Sequence, residues 1–146
     1  MKRIPAIALL VTLMALAWSP AASVQVQTRV RIIEASNRGF VVDPSLRDVH
    51  DQLGSLFNFT SYRLLRDLNL RLAGTRPVEI PVHRGRSMEI TLVGAYRNLI
   101  ELRIRIKRDG APILNTQVRL NAGRTILIGG PKHGEGTMIF AISAHP

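Results

Sequence analysis

Residues 99–120 read LIELRIRIKRDGAPILNTQVRL, and this stretch decides the fold class. From Leu99 to Lys107 apolar residues alternate with charged ones, which is the two-residue period of a strand with one buried side. The Asp109-Gly110 pair that follows is the strongest hairpin signal in the chain, because both residue types tolerate positive φ. A return strand over Ile113–Leu120 completes the predicted hairpin.

Strand and turn signals continue on both sides of this hairpin. At the N-terminal side, four apolar residues alternate with glutamine and arginine; they are Val24, Val26, Val30 and Ile32, against Gln25, Gln27, Arg29 and Arg31. Turn sequences such as Gly74-Thr75-Arg76-Pro77 separate the other strands, and Pro81 indicates that the strand containing it lies at a sheet edge. Seven to nine short antiparallel strands predict a mainly β domain over residues 24–146, either a β-sandwich or a small barrel.

One amphipathic helix is predicted between the first two strands, and we expect it to pack on the sheet. Asp43 is suited to the N-cap position with Pro44 as the first helical residue, and Ser45 with Asp48 forms a competing cap one step later. Apolar residues then recur at helical spacing up to about Phe57. They are Leu46, Val49, Leu53, Leu56 and Phe57.

The first 23 residues have the order of a secretory signal peptide. Lys2 and Arg3 precede an apolar run from Ile4 to Trp18, and small residues around Pro20 follow it. Cleavage after Ser23 is predicted, and cleavage after Ala21 is nearly as compatible with the pattern. The alternative is an uncleaved anchor, although the run is shorter than the roughly 20 residues that span a bilayer. The predicted location is periplasmic or secreted, with no stable membrane span after cleavage.

Charge and cysteine content narrow the classes of partner and chemistry. The chain has 146 residues, a net charge of +10 and no cysteine, which excludes disulfides and thiolate chemistry. Removing Lys2 and Arg3 with the signal peptide leaves a net charge of +8. Outside the cytoplasm such a charge favours an acidic lipid, glycan or protein of the envelope over nucleic acid. Aromatic residues of the kind that stack on bases are missing between the basic ones.

The candidate binding residues are basic side chains at alternating strand positions and one lysine in a glycine-rich loop. If their strands share a sheet, they form one electropositive surface; the alternative is an ordinary solvated sheet face. The candidates for binding an anion or partner are Arg29, Arg31, Arg103, Arg105, Lys107 and Lys132.

No catalytic or metal-binding pattern emerges from the sequence, and no cofactor is predicted. The glycine-rich segment Gly129–Gly136 lacks the helix that follows a phosphate-binding P-loop, so a hairpin with positive-φ glycines is expected. His133 and Glu135 are too few to hold a metal ion. The sequence has neither a G-x-S-x-G elbow nor a serine followed three residues later by lysine. Two carboxylates brought together by the fold stay an open alternative.

Two resemblances point to the cell envelope. Leu120–Gly130 resembles a segment of bacterial secretins, in which a polar-Gly-x-Thr turn leads into an apolar strand ending in Gly-Gly. Beyond this segment, the chain is similar to small uncharacterised exported proteins of Gram-negative bacteria. This second resemblance rests on four segments, Ser36–Gly39, Val42–Leu46, Ser61–Leu65 and Ile128–Pro131. The resemblance implies export and a β-rich domain.

These features lead to two main functional hypotheses, and a structural protein that only self-associates is a third possibility. The first is an exported, non-enzymatic binding or adaptor protein of the cell envelope, accessory to secretion or envelope assembly. The second is a secreted hydrolase that acts on an anionic glycan and uses His133 or Glu135. The oligomeric state is left open by the sequence.

Overall fold

Eight antiparallel strands form the body of the chain. A computed structural model describes residues 24–83 and 85–146; the predicted signal peptide lies outside the described residues. The strands are β1 Gln25–Ser36, β2 Ser61–Ala73, β3 Val78–Pro81, β4 Arg86–Tyr96, β5 Leu99–Arg108, β6 Ala111–Asn121, β7 Thr125–His133 and β8 Gly136–His145.

The strands are divided between two four-stranded sheets. The first sheet has the order β2-β1-β8-β7 and the second has the order β3-β4-β5-β6. All six strand pairings are antiparallel. The prediction of a mainly β fold is confirmed, and of its two forms the sandwich is the one observed.

The hydrophobic core lies between the two sheets. Strand alternation turns every second side chain inwards, so that β4 and β5 each supply a row of fully buried apolar residues. The core residues with no exposed surface include Val30, Leu72, Met88, Ile90, Ile104, Ile106, Phe140 and Ile142.

The hairpin predicted at Asp109-Gly110 is confirmed. Strand β5 ends at Arg108 and β6 begins at Ala111, with φ of 50° at Asp109 and 82° at Gly110. Both central residues therefore take the left-handed conformation of a type I′ turn, whose twist matches that of the flanking strands. Pro81 also lies where the sequence predicted it, because β3 is an edge strand.

The predicted helix lies on the outer face of the first sheet. A 3₁₀ turn over Pro44–Val49 continues into α1, His50–Leu56, and the side chain of Asp43 accepts a hydrogen bond from the Ser45 amide at 3.0 Å. Its buried side chains cover a second, smaller hydrophobic cluster, formed by Ile33, Ala35, Leu46, Val49, Leu53, Tyr62, Ile139 and Ala141. No helix of the described part of the chain is long and apolar enough to cross a membrane.

Candidate functional site

The basic residues predicted from the sequence do not form one surface. Arg29 and Arg31 lie on β1 in the first sheet, whereas Arg103, Arg105 and Lys107 lie on β5 in the second. Both rows occupy outer faces, because the residues that alternate with them belong to the shared core. The two rows are therefore on opposite sides of the sandwich.

The first row is neutralised by carboxylates. Arg31 has 2% of its side chain exposed, and its two Nη atoms donate to the Asp48 carboxylate at 2.8 Å each. The prediction that Arg31 faces solvent is wrong, because the 3₁₀ turn covers its side chain. Arg29 donates to Asp67 through Nε and Nη2 at 2.9 and 2.7 Å. These hydrogen bonds lower the pKa of Asp48 and of Asp67, and the Asp67 bond raises the pKa of Arg29.

The second row is neutralised in part. Glu89 on β4 lies 3.0 Å from Lys107 Nζ and 3.6 Å from Arg105 Nη1. Arg103 is exposed and forms no ion pair with a carboxylate of the described residues. Lys132, near the end of β7, is also exposed, and it lies in the other sheet from Arg103. Of the predicted cations, these two remain available to an external anion.

The glycine-rich segment is built mainly for close packing. Gly129 and Gly130 lie within β7, where an added Cβ would meet the rings of Phe57 and Phe140. Only Gly134, in the hairpin between β7 and β8, has positive φ among these glycines. The hairpin is thus where the sequence placed it, but most of its glycines serve the approach of neighbouring groups rather than the turn.

A polar cleft opens at the end of the sandwich where this hairpin lies. Glu34 on β1 is 2.9 Å from His133 Nε2 through one carboxylate oxygen and 2.9 Å from Arg63 Nη2 through the other. Arg38 donates to Glu135 at 2.8 Å. We call this the histidine cleft. It has a volume of about 250 Å³ and is lined by Glu34, Ser36, Arg38, Arg63, His133, Gly134, Glu135 and Gly136.

The charged groups of the histidine cleft bind mainly one another. The His133 ring also stands edge-on to the His83 ring at 4.7 Å between centroids. A substrate or ligand would therefore have to displace existing ion pairs. Among the described residues no three His, Cys, Asp or Glu side chains converge as a metal site. The cleft brings together His133 and Glu135, the two residues of the hydrolase hypothesis.

The opposite end of the sandwich carries arginines without ion pairs. Here β1, β5 and β7 begin, and β2, β4, β6 and β8 end. We call the turns at this end, with the last residues of β2, the arginine end. Its exposed arginines are Arg71, Arg76, Arg97 and Arg124.

Short hydrogen bonds fix the turns of the arginine end to one another. The Ala122 amide donates to the Asn98 carbonyl at 2.8 Å, and the Gly123 amide donates to the Ala144 carbonyl at 2.9 Å. The Arg97 and Arg124 turns are consequently adjacent. On the far side, the Gly74 amide donates to the Val24 carbonyl at 3.2 Å.

The acidic side chains of the described residues lie outside these turns. No arginine of the arginine end forms an ion pair with a described carboxylate, and the turns themselves contain no acidic residue. The nearest acidic residue along β5 is Glu101, whose carboxylate accepts hydrogen bonds from Gln117 and Arg119. These hydrogen bonds lower the pKa of Glu101. This end therefore presents four guanidinium groups without a carboxylate partner among the described residues, and guanidinium groups are suited to binding phosphate or carboxylate.

Comparisons of this chain with protein-family models, with curated proteins and with solved structures found no match.

The sequence contains only a weak signal for the arginine end. Arg76 stands between a Gly-Thr pair and a proline, and Arg124 follows Gly123, so both read as ordinary turn residues. The two arginines are far apart along the chain, and only the sandwich topology brings their turns to one end. The sequence pattern does not give the sheet order, so it could not predict that these two turns lie at the same end.

Proposed function

We propose that this chain is an exported, non-enzymatic β-sandwich protein that binds an acidic component of the bacterial cell envelope. The observation that carries the proposal is the arginine end, where four exposed arginines have no carboxylate partner in the described chain. An acidic ligand would provide the negative charges that pair with these arginines. The predicted signal peptide and the resemblance to exported envelope proteins support the same compartment.

Binding is tested by sedimentation with envelope membranes from a Gram-negative bacterium, using protein expressed from the full sequence. We expect Arg97→Glu/Arg124→Glu to weaken binding at least tenfold. The matched control is Arg47→Glu/Arg108→Glu, which changes the net charge equally at exposed sites outside the arginine end. A third variant, Arg103→Glu, tests the sequence-predicted row. Equal binding by wild type and all three variants contradicts the proposal.

Export is tested separately by cell fractionation and mass measurement. We expect the periplasmic or secreted form to begin at Val24, or at Ala22 if cleavage follows Ala21. A cytoplasmic form that retains Lys2 and Arg3 contradicts this part of the proposal.

The histidine cleft supports the second candidate, a secreted hydrolase of an anionic glycan. Arg38 and Arg63 would bind the acidic groups of the glycan, with His133 and the two carboxylates at the bond to be cleaved. The test is release of reducing ends from polygalacturonate, comparing wild type with His133→Ala and Glu135→Gln. Turnover that is lost in both variants supports this candidate; absent or unaltered turnover rejects it.

A further inference from the structure

Exposed apolar side chains lie among the arginines of the arginine end. The exposed fractions are 54% for Val24, 38% for Val93, 72% for Tyr96 and 42% for Leu99. The Arg97 guanidinium lies over the Tyr96 ring, 5.4 Å from its centroid. The surface therefore combines cations with apolar groups and a ring that has a polar hydroxyl.

This combination distinguishes between classes of acidic partner. A soluble acidic polysaccharide offers charge but little apolar surface, so the exposed valines and leucine would gain nothing from it. A phospholipid surface offers phosphate groups for arginine, acyl chains for the apolar residues and an interface in which tyrosine is favoured. A groove of about 330 Å³ adds to the apolar surface and is lined by Val24, Gly74, Thr75, Leu92, Val93, Gly94 and Ala95.

The position of the N-terminus supports the same orientation. The chain enters the described domain at Val24, so residues 1–23 join it at the arginine end. The sequence predicts that this segment enters the membrane during export. The point at which this segment joins the domain is therefore at the same end as the exposed arginines.

We propose that the arginine end docks on a bilayer surface that contains anionic phospholipid. The inference rests on the proposed function and names the class of its acidic partner. Arg76, Arg97 and Arg124 contact lipid phosphates, while Tyr96 and Leu99 enter the interface beside them. Each basic residue close to such a surface strengthens binding about fivefold. Removing two of them should weaken binding about 25-fold, and reversing their charge should weaken it further.

The first experiment measures sedimentation with vesicles of phosphatidylglycerol and phosphatidylethanolamine, against vesicles of phosphatidylcholine alone. We expect binding only to the anionic vesicles and a loss of about 25-fold or more in Arg97→Glu/Arg124→Glu. Arg47→Glu/Arg108→Glu serves as the charge-matched control and should retain most of the binding. Urea unfolding checks that each variant is folded, and Arg97→Gln/Arg124→Gln replaces the double reversal if that variant is not.

A second experiment locates the contact. Trp18 is the only tryptophan of the chain and lies in the predicted signal peptide, so the form that begins at Val24 gives a tryptophan-free background for one reporter. Tyr96→Trp in that background should shift its fluorescence to shorter wavelength on anionic vesicles. Phe40→Trp, at a site that is 88% exposed outside the arginine end, should not shift.

The outcomes separate this inference from the proposed function. Arginine-dependent binding to envelope membranes without binding to the anionic vesicles indicates an acidic protein or glycan, and overturns only the lipid inference. Absence of binding to both overturns both proposals. Equal loss in the two charge-reversal variants, or a fluorescence shift at Phe40→Trp alone, also overturns docking through the arginine end.

Discussion

Arg31 and Asp48 form a bidentate ion pair that connects the 3₁₀ turn to the first sheet. The guanidinium is buried, with 2% of the side chain exposed, whereas 56% of the Asp48 side chain is exposed. Arg31 Nε has no hydrogen-bond partner among the described residues. Asp48 is the carboxylate that accepts the Arg31 hydrogen bonds, and Asp67, opposite Arg31 on β2, adds an electrostatic attraction.

Removing the carboxylate should destabilise the fold more than removing the cation. Asp48→Ala leaves a buried guanidinium without its partner, and we expect a loss of about 2 kcal/mol in the free energy of unfolding. Arg31→Met removes the buried charge and leaves Asp48 in contact with water, so its loss should be smaller. Urea unfolding at neutral pH measures both. Asp51→Ala, an exposed acid in the next turn, is the control, and a loss equal to that of Asp48→Ala would contradict the pairing.

The same pairs predict how stability changes in acid. The pKa values of Asp48 and Asp67 lie below the ordinary value of 3.8, chiefly because Arg31 and Arg29 donate to them. Their stabilising contribution is present above the unfolded pKa and is lost as pH falls through the lower folded pKa. We expect the free energy of unfolding to fall below about pH 5, where unfolded carboxyls begin to take up protons.

The matched variant for this prediction is Asp48→Asn/Asp67→Asn, which lacks both titrating groups. It should be less stable than wild type at neutral pH and should lose less on acidification. Urea unfolding over a series of pH values gives both curves. Parallel curves for the two proteins would mean that other groups cause the acid dependence.

Local signals account for the parts of the fold that the sequence predicted. The Asp109-Gly110 turn, the edge position of Pro81 and the Asp43 cap each depend on the conformational preference of one or two residues. Strand β2 runs without interruption from Ser61 to Ala73, with a register shift against β1 between Ile32 and Ile33. The bulge preserves pairing where the periodicity changes.

Nonlocal packing accounts for what the sequence did not predict about the candidate site. Arg31 alternates with core residues as a solvent-facing residue would, and only the placement of the helix buries it. Arg105 and Lys107 lie in a regular row, but the Glu89 carboxylate on the neighbouring strand β4 forms ion pairs with both. Alternation gives the side of a strand on which a charge lies. It does not give the partner that the neighbouring strand or helix brings.

Glu89 should matter more to stability than the acid next to it. Its side chain is 17% exposed and lies between Lys107 and Arg105, which repel each other without it. Glu89→Gln should therefore cost about 1 to 2 kcal/mol in urea unfolding. Glu79 stands directly opposite Glu89 in the β3–β4 pairing and forms no ion pair with a described cation. Glu79→Gln relieves repulsion between like charges and should be neutral or slightly stabilising. Equal losses in both variants would show that Glu89 does not organise the row.

Gly136 and Gly54 should respond to alanine with opposite signs. Gly136 is buried at the start of β8, where an added Cβ would collide with the carbonyl oxygen of Ala35 and lie 3.2 Å from Ser36 Cβ. The colliding atom belongs to the backbone of a core strand, so it cannot move aside as a flexible side chain would. Gly136→Ala should cost at least about 2 kcal/mol in urea unfolding.

Gly54 provides the control, since it lies in α1 and, apart from its own helix backbone and chain neighbours, nothing lies within 4 Å of the position of an added Cβ. Gly54→Ala should raise the free energy of unfolding by about 0.5 to 1 kcal/mol, because alanine restricts the unfolded chain and favours the helix. Gly134→Ala separates turn strain from packing, because this glycine has φ of +59° but open space around it. Its loss should be smaller than that of Gly136→Ala. If Gly134→Ala lowers the free energy of unfolding more than Gly136→Ala does, backbone strain in the turn matters more to stability than close packing on β1.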